Sequence, residues 1–276
     1  MTLVLTCLTN DHILQVADRR VTLADGTLKD DDTTKAIFYC GRFAVSFTGP
    51  DEMDDKPTAE WIAWRMKDAS NIIEAMQSIA RGAEDLYRGK LVYKFAVVAA
   101  GWVTLRGTKQ PLPHLSVASN FINNHGQWQS SPSERMTIVA ELPLKNLPYF
   151  FFAAGQNLTG QEEALLKNSI PRAIQSKTPA MSLAYILTET VQGVARGNDE
   201  RSKRVGKGMI VHLLPRKIAE IERNEVVLLC GLTDNAFSFD YVSSEGKRDP
   251  LKGAVITCNG TVVTGFTCGS ISRRNR

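Results

Sequence analysis

Apolar positions along the chain follow two different periods. Over the first fifty residues they come in short runs broken by turn residues. Thr2-Leu3-Val4-Leu5-Thr6-Cys7-Leu8 is rich in strand formers and runs into Thr9-Asn10-Asp11, a turn signal, before His12 to Ala17 resumes the pattern. The two runs predict a hairpin starting at the head of the chain. A polar stretch follows from Thr22 to Thr34, with Gly26 and the acidic run Asp30-Asp31-Asp32. Ala36 to Cys40 and Phe43 to Phe47 then predict a second hairpin across Gly41-Arg42, stopping at Thr48-Gly49-Pro50.

From Pro57 to Tyr87 the period lengthens. Trp61, Ile62, Met66, Ile72, Ile73, Met76, Ile79, Ala83 and Leu86 fall at helical spacing and predict one long helix or two, with Pro57 near the start. Tyr93–Trp102 reads as a buried strand, and His114–Ile122, Thr137–Leu142 and Tyr149–Gly155 read as further strands. Helical spacing returns at Thr159–Asn168 and Ala180–Ala195, and strand patterns return at Met209–Leu214, Val226–Cys230, Phe237–Val242 and Ala254–Phe266. Strands bunched together, with helices bunched between them, predict an α+β fold of packed layers; two antiparallel sheets between helix layers satisfy this order.

Composition narrows the class. At 276 residues, with 43% hydrophobic and 22% charged residues, the chain reads as a globular domain over 1–215 followed by an extension, partly β, over 216–276. A formal charge of +4 is too mild to point to nucleic acid. Five scattered cysteines without a CxxC pair fit reduced thiols, a cytoplasmic location and no zinc ribbon. No apolar run reaches the ~18 residues a membrane span needs, and Met1–Leu8 lacks the basic start of a signal peptide. The four histidines are isolated, and HExxH, GxSxG, the Walker loop and GxGxxG are absent. No metal or organic cofactor is expected.

The remaining chemistry gathers near the start. A small residue at position 2 permits removal of Met1, which would leave Thr2 with a hydroxyl nucleophile and its own α-amine. Such an amine has a pKa of about 7.7–8.0, suited to taking the hydroxyl proton and returning it. The first hairpin would bring Asp18 beside the N-terminus, and the second would bring Lys35 in from the adjacent strand. A lysine near the hydroxyl favours the alkoxide, and an aspartate keeps that lysine charged and oriented. Gly49 permits a tight turn whose N–H would face an oxyanion. Plainer readings exist for each residue: a surface ion pair for Asp18 and Arg20, a solvated Lys35, an ordinary turn at Gly49-Pro50. The basic residues Arg196, Arg201, Lys203, Arg204 and Lys207 read as a solvated loop, and Cys7 as a small core residue.

Thr2, Ala17-Asp18-Arg19-Arg20, Lys35 and Ser46-Phe47-Thr48-Gly49 together resemble the catalytic β-subunits of the proteasome and their bacterial relatives, within the N-terminal nucleophile hydrolases. The resemblance is specific over 1–50, suggestive to 214 and absent beyond. It implies a four-layer αββα sandwich and a threonine-type peptidase. Thr2 would be nucleophile and base, Asp18 and Lys35 would tune it, Arg20 would brace the corner and Gly49 would give the oxyanion N–H. Asp199 and Ser202 match the spacing of the family's distal Asp and Ser, although Lys203-Arg204-Val205 intervene before the expected glycines. Ala154 stands where the family has a serine. Val21, Thr33 and Phe47 would line the substrate pocket, with Phe47 favouring smaller apolar residues. The resemblance further implies peptide or unfolded-protein substrates, self-association into a ring and service by an ATP-dependent unfoldase. Two rivals remain: an amidase or acylase acting on a small-molecule amide through the same Thr2, and a non-catalytic scaffold subunit that keeps Met1.

Overall fold

The computed structural model describes residues 2–23, 27–30, 33–39, 43–90, 92–105, 110–141, 147–216, 238–242, 255–258 and 261–263. The chain opens with β1 (Leu3–Thr9) and β2 (His12–Asp18), followed by the short strands β3 (Val21–Thr22) and β4 (Leu28–Asp30). Next come β5 (Ala36–Tyr39) and β6 (Phe43–Thr48), a small ribbon of β7 (Glu52–Met53) and β8 (Lys56–Pro57), and the helices α1 (Thr58–Met66) and α2 (Ile72–Tyr87). Strands β9 (Ala96–Val103), β10 (Leu112–Ser119), β11 (Thr137–Glu141) and β12 (Tyr149–Gly155) precede α3 (Gly160–Ile174) and α4 (Pro179–Arg196). The last described strands are β13 (Met209–Pro215), β14 (Ser238–Val242), β15 (Val255–Cys258) and β16 (Thr261–Val263).

These strands form a five-stranded sheet ordered β12-β1-β2-β13-β14 and a seven-stranded sheet ordered β11-β10-β9-β6-β5-β15-β16. The period-two pattern decides what each face meets. On β1, Leu3, Leu5 and Cys7 join a cluster with Leu166, Ile170, Leu183, Leu187 and Val191 of α3 and α4. The alternate residues Val4 and Leu8 pack with Ala44, Val98, Ala100 and Val117 of the seven-stranded sheet. That sheet turns Val45, Phe47, Val97 and Ala99 toward Trp61, Ile62, Met76 and Ile79 of α1 and α2. Between the sheets sits a buried polar bridge. The Nε2 of Gln15 donates to Thr6 Oγ1 (3.3 Å) and to the Val98 carbonyl (3.2 Å), and Ser46 Oγ donates to Gln15 Oε1 (2.8 Å). Each polar atom in that bridge has a partner, which removes the penalty of burying it.

The helical stretch over 57–87 is two helices. Residues 67–71 break it, and Asn71 restarts it by accepting the Glu74 N–H at 3.0 Å, an N-cap that satisfies one of the otherwise unpaired donors. Helix α3 runs six residues past the expected Asn168 and through Pro171, its final turn held by buried Ile170 and Ala173. It opens on a reciprocal cap between Thr159 and Glu162. The polar stretch after β2 carries the β3–β4 ribbon rather than loop alone. Beyond residue 216, β14 adds to β13 at the edge of one sheet, and β15 adds to β5 in the other. That last pairing is parallel, a departure from the all-antiparallel expectation that is possible because a long connection separates the two strands. The expected strand Val226–Cys230 lies outside the described residues. Among the described residues, no helix is long and apolar enough to cross a membrane.

Candidate active site

The β1–β2 hairpin pairs Val4 with Ala17, which sets Asp18 at the start of β1. Asp18 Oδ2 accepts the Leu3 N–H at 2.6 Å, and Oδ1 accepts the N–H groups of Arg20 (2.9 Å) and Gly206 (3.2 Å). The carboxyl is fully buried. Burial pushes its pKa up, while Lys35 and the three backbone N–H groups pull it back.

Lys35 directly precedes β5, and its buried Nζ lies 3.8 Å from Asp18 Oδ1. The same Nζ donates to Thr2 Oγ1 and to the Arg20 carbonyl. One ammonium thus connects the threonine hydroxyl, the aspartate and the corner of the β2–β3 connection. A charge this deeply buried is tolerable only because it is paired and hydrogen-bonded.

Thr2 is held on its backbone as well. Its carbonyl accepts the Gln156 N–H at 3.0 Å, and its nitrogen donates to Thr48 Oγ1 at 3.2 Å. Gly155 makes this approach possible. Its φ is +88°, and a β-carbon there would stand 1.8 Å from the Thr2 carbonyl oxygen. Gly49, at φ +141°, is equally restricted, since a β-carbon would lie 2.8 Å from the Lys94 carbonyl oxygen.

The corner residues divide their work. Arg20 donates its N–H to Asp18 and its guanidinium to the carbonyls of Ser202 (3.3 Å) and Lys203 (3.4 Å). Arg19, to which the sequence assigns no role, is the more buried of the pair; its Nε donates to the Thr33 carbonyl at 3.3 Å and its N–H to Gly208 at 3.1 Å. Thr33 gives its hydroxyl to Asp30 at 2.6 Å. Val21 is buried at the start of β3, and Phe47 packs in the cluster against α1 and α2.

Asp199 and Ser202 build a turn of their own. Asp199 Oδ1 accepts the N–H groups of Arg201 and Ser202, and Ser202 Oγ donates to the Asp199 carbonyl at 2.7 Å. Arg201 pairs with Asp199 and with Glu162 of α3, both at 2.7 Å, so this arginine is not part of a merely solvated loop. The turn reaches the Thr2 cluster through its backbone. Val205 is buried against α4, which delivers the Gly206 N–H to Asp18. Gly206, Thr48, Gly155 and Gln156 are therefore members of the arrangement; the sequence places them in family-like turns but gives none of them a role at the site. The hint was the Gly206-Lys207-Gly208 pair, displaced by the three inserted residues. Ala154 places its methyl between the sheets with Val4, Ala17 and Val98. Among the described residues, no cluster of three His, Cys, Asp or Glu is arranged to hold a metal.

Chemically, this is a hydroxyl in contact with a buried ammonium, whose charge is matched by a buried carboxyl. No family model matches the chain, and no curated protein does. Among solved structures it is similar to an Anbu (Gly-1) mutant from Hyphomicrobium sp. strain MC1, at 11% identity, over 78% of this chain and 82% of that one, with a TM-score of 0.48.

Proposed function

We propose that this protein is a hydrolase of the N-terminal nucleophile type, built as a four-layer αββα sandwich, and that its reaction is threonine-type cleavage of a peptide bond. The observation that carries the reading is the contact of the Lys35 ammonium with the Thr2 hydroxyl beside Asp18. A buried threonine at the edge of a core needs no lysine. A hydroxyl that must become an alkoxide gains from one, because a nearby positive charge lowers its pKa.

The reaction follows from these groups. Loss of Met1 frees the α-amine of Thr2. The neutral amine takes the proton of Thr2 Oγ1 as that oxygen attacks the scissile carbonyl, and Lys35 stabilises the negative charge at the attacking oxygen. The Gly49 N–H receives the oxyanion of the tetrahedral adduct. The ammonium returns its proton to the leaving amine, giving an ester on Thr2. Water, deprotonated by the same amine, then hydrolyses that ester and restores Thr2. Asp18 holds Lys35 charged and oriented throughout. Asp199 and Ser202 support this site by anchoring the loop that carries Gly206. Val21 and Thr33 shape the pocket beside the cleaved bond, whereas Phe47, expected there, is packed against α1 and α2 on the face of β6 opposite Thr48. Peptides or unfolded chains are the substrates, in a cytoplasmic, self-associating particle fed by an unfoldase.

Ala154, an apolar methyl where the resemblance puts a serine, favours a second reading: a scaffold in which Met1 stays and the hydroxyl is never presented. Turnover of a fluorogenic peptide panel and a panel of small acyl amides, by the Met1-free chain and its Thr2→Ala variant, separates the possibilities. Peptide cleavage lost in Thr2→Ala supports the peptidase. Cleavage of small amides alone would move the assignment to an amidase. No turnover of either by the Met1-free chain would favour the scaffold.

A further inference from the structure

We propose that the Thr48 hydroxyl is the positioning group for the α-amine of Thr2, an inference that rests on reading Thr2 as an N-terminal nucleophile. An amine that serves as base must aim its lone pair at its own hydroxyl, and a free amine on a chain terminus rotates unless something holds one of its N–H bonds. The resemblance puts a serine at position 154, but here Ala154 gives only a methyl to the apolar cluster between the sheets.

The hydroxyl arrives instead from the other sheet. Ala44 packs toward the five-stranded sheet, whereas Val45 and Phe47 pack against α1 and α2. Along the same alternation, Ser46 reaches Gln15 and Thr48 reaches Thr2. Thr48 is buried, and its Oγ1 accepts from the Thr2 nitrogen at 3.2 Å. Gly155 clears the space for this contact, since a β-carbon there would stand 3.0 Å from Thr48 Oγ1. The nitrogen stays in place when Met1 leaves, because the Thr2 carbonyl is fixed by Gln156 and the next N–H is fixed by Asp18. One amine N–H then remains on Thr48, and the lone pair is left for Thr2 Oγ1. An acceptor in this position also favours the ammonium form, so it raises the amine pKa.

The test uses the full chain released from a cleavable fusion with Thr2 first. The pH dependence of α-amine acetylation by acetic anhydride, read by mass spectrometry of the N-terminal peptide, gives the amine's apparent pKa. Thr48→Val should lower it by about one unit, a tenfold change in proton binding, and Thr48→Ser should return it to the wild-type value. Thr48→Ala gives the same comparison if the valine variant does not fold. In parallel, Thr48→Val should react about tenfold more slowly with a peptide epoxyketone, with the serine variant restoring the rate. An unchanged amine pKa in both hydroxyl-free variants would overturn the assignment, whatever the labelling rates. A lowered pKa in a protein whose wild type takes no epoxyketone would leave Thr48 as the holder of the amine and instead remove the catalytic reading of Thr2.

Discussion

Lys35 Nζ and Asp18 Oδ1 lie 3.8 Å apart in a site from which both side chains are almost wholly withdrawn from water. Such a pair is destabilised most when only one partner is removed, because the survivor is left as a buried, uncompensated charge. Lys35→Met should therefore lower unfolding free energy by about 3–5 kcal/mol, and the double variant with Asp18→Asn should lose less than Lys35→Met alone. Urea denaturation of the three proteins measures this coupling. Activity should follow a different order: all the variants should lose about a hundredfold or more in kcat/KM, because neither neutral side chain supplies the ammonium at Thr2 Oγ1.

Gly155 offers a probe that leaves every charged group intact. Alanine there meets both a left-handed backbone and the Thr2 carbonyl oxygen. Gly155→Ala should cost about 1–3 kcal/mol in strain and shift Thr2 off Lys35, so its loss of activity should exceed anything its stability loss explains. Thermal unfolding and peptide turnover measured side by side check this. Gly160, where a β-carbon meets nothing within 4 Å, is the control.

How much of this was legible in the sequence depends on how far along the chain each contact reaches. The Thr2–Asp18 approach follows from a hairpin with one short turn, so spacing alone anticipates it. Lys35 arrives on the next hairpin and is legible for the same reason. Gly155 and Gln156 reach Thr2 through β12, about 150 residues away, and no local pattern announces that pairing. The Gly206 contact is hidden by the three residues that precede it, the last of which, Val205, is buried. Arg19 and Arg20 are adjacent and chemically alike, so only the fold shows that Arg19 is the deeper one. The packed layers were readable from the order of strands and helices along the chain, whereas the parallel β5–β15 pair joins segments more than two hundred residues apart.

His212 gives the fold an acid limit. It sits on β13 opposite Gln15, fully buried, and burial lowers its pKa from 6.5 to about 3. Its folded pKa lies below the unfolded one, so its contribution to stability is complete above pH ~6.5 and is lost as pH falls toward 3. Each pH unit across that window removes about 1.4 kcal/mol. Asp18, whose folded pKa is raised, acts with the opposite sign, its contribution being present at low pH and lost as pH rises. The difference between wild type and His212→Gln isolates the histidine: the stability of the variant should fall less steeply between pH 6 and pH 4, as measured by denaturant melts at each pH.

Cys7 should be chemically silent in the native protein. It is buried in the cluster beneath α3 and α4, and burial pushes its thiol up to about 12. Since the thiolate is the reactive form, iodoacetamide at pH 8 should leave Cys7 unmodified until denaturant is added. Peptide mapping of native and denatured samples reads this directly. Rapid native modification would show that β1 does not stay packed.

The most direct test of the central claim is the intact mass of the purified protein after incubation with a peptide epoxyketone, a warhead that needs a hydroxyl and a free amine on one residue. The expected product is a chain lacking Met1 that carries one inhibitor, with no adduct on the Thr2→Ala variant. A chain that retains Met1 and takes no inhibitor would contradict it and leave Thr2, Lys35 and Asp18 as parts of a scaffold.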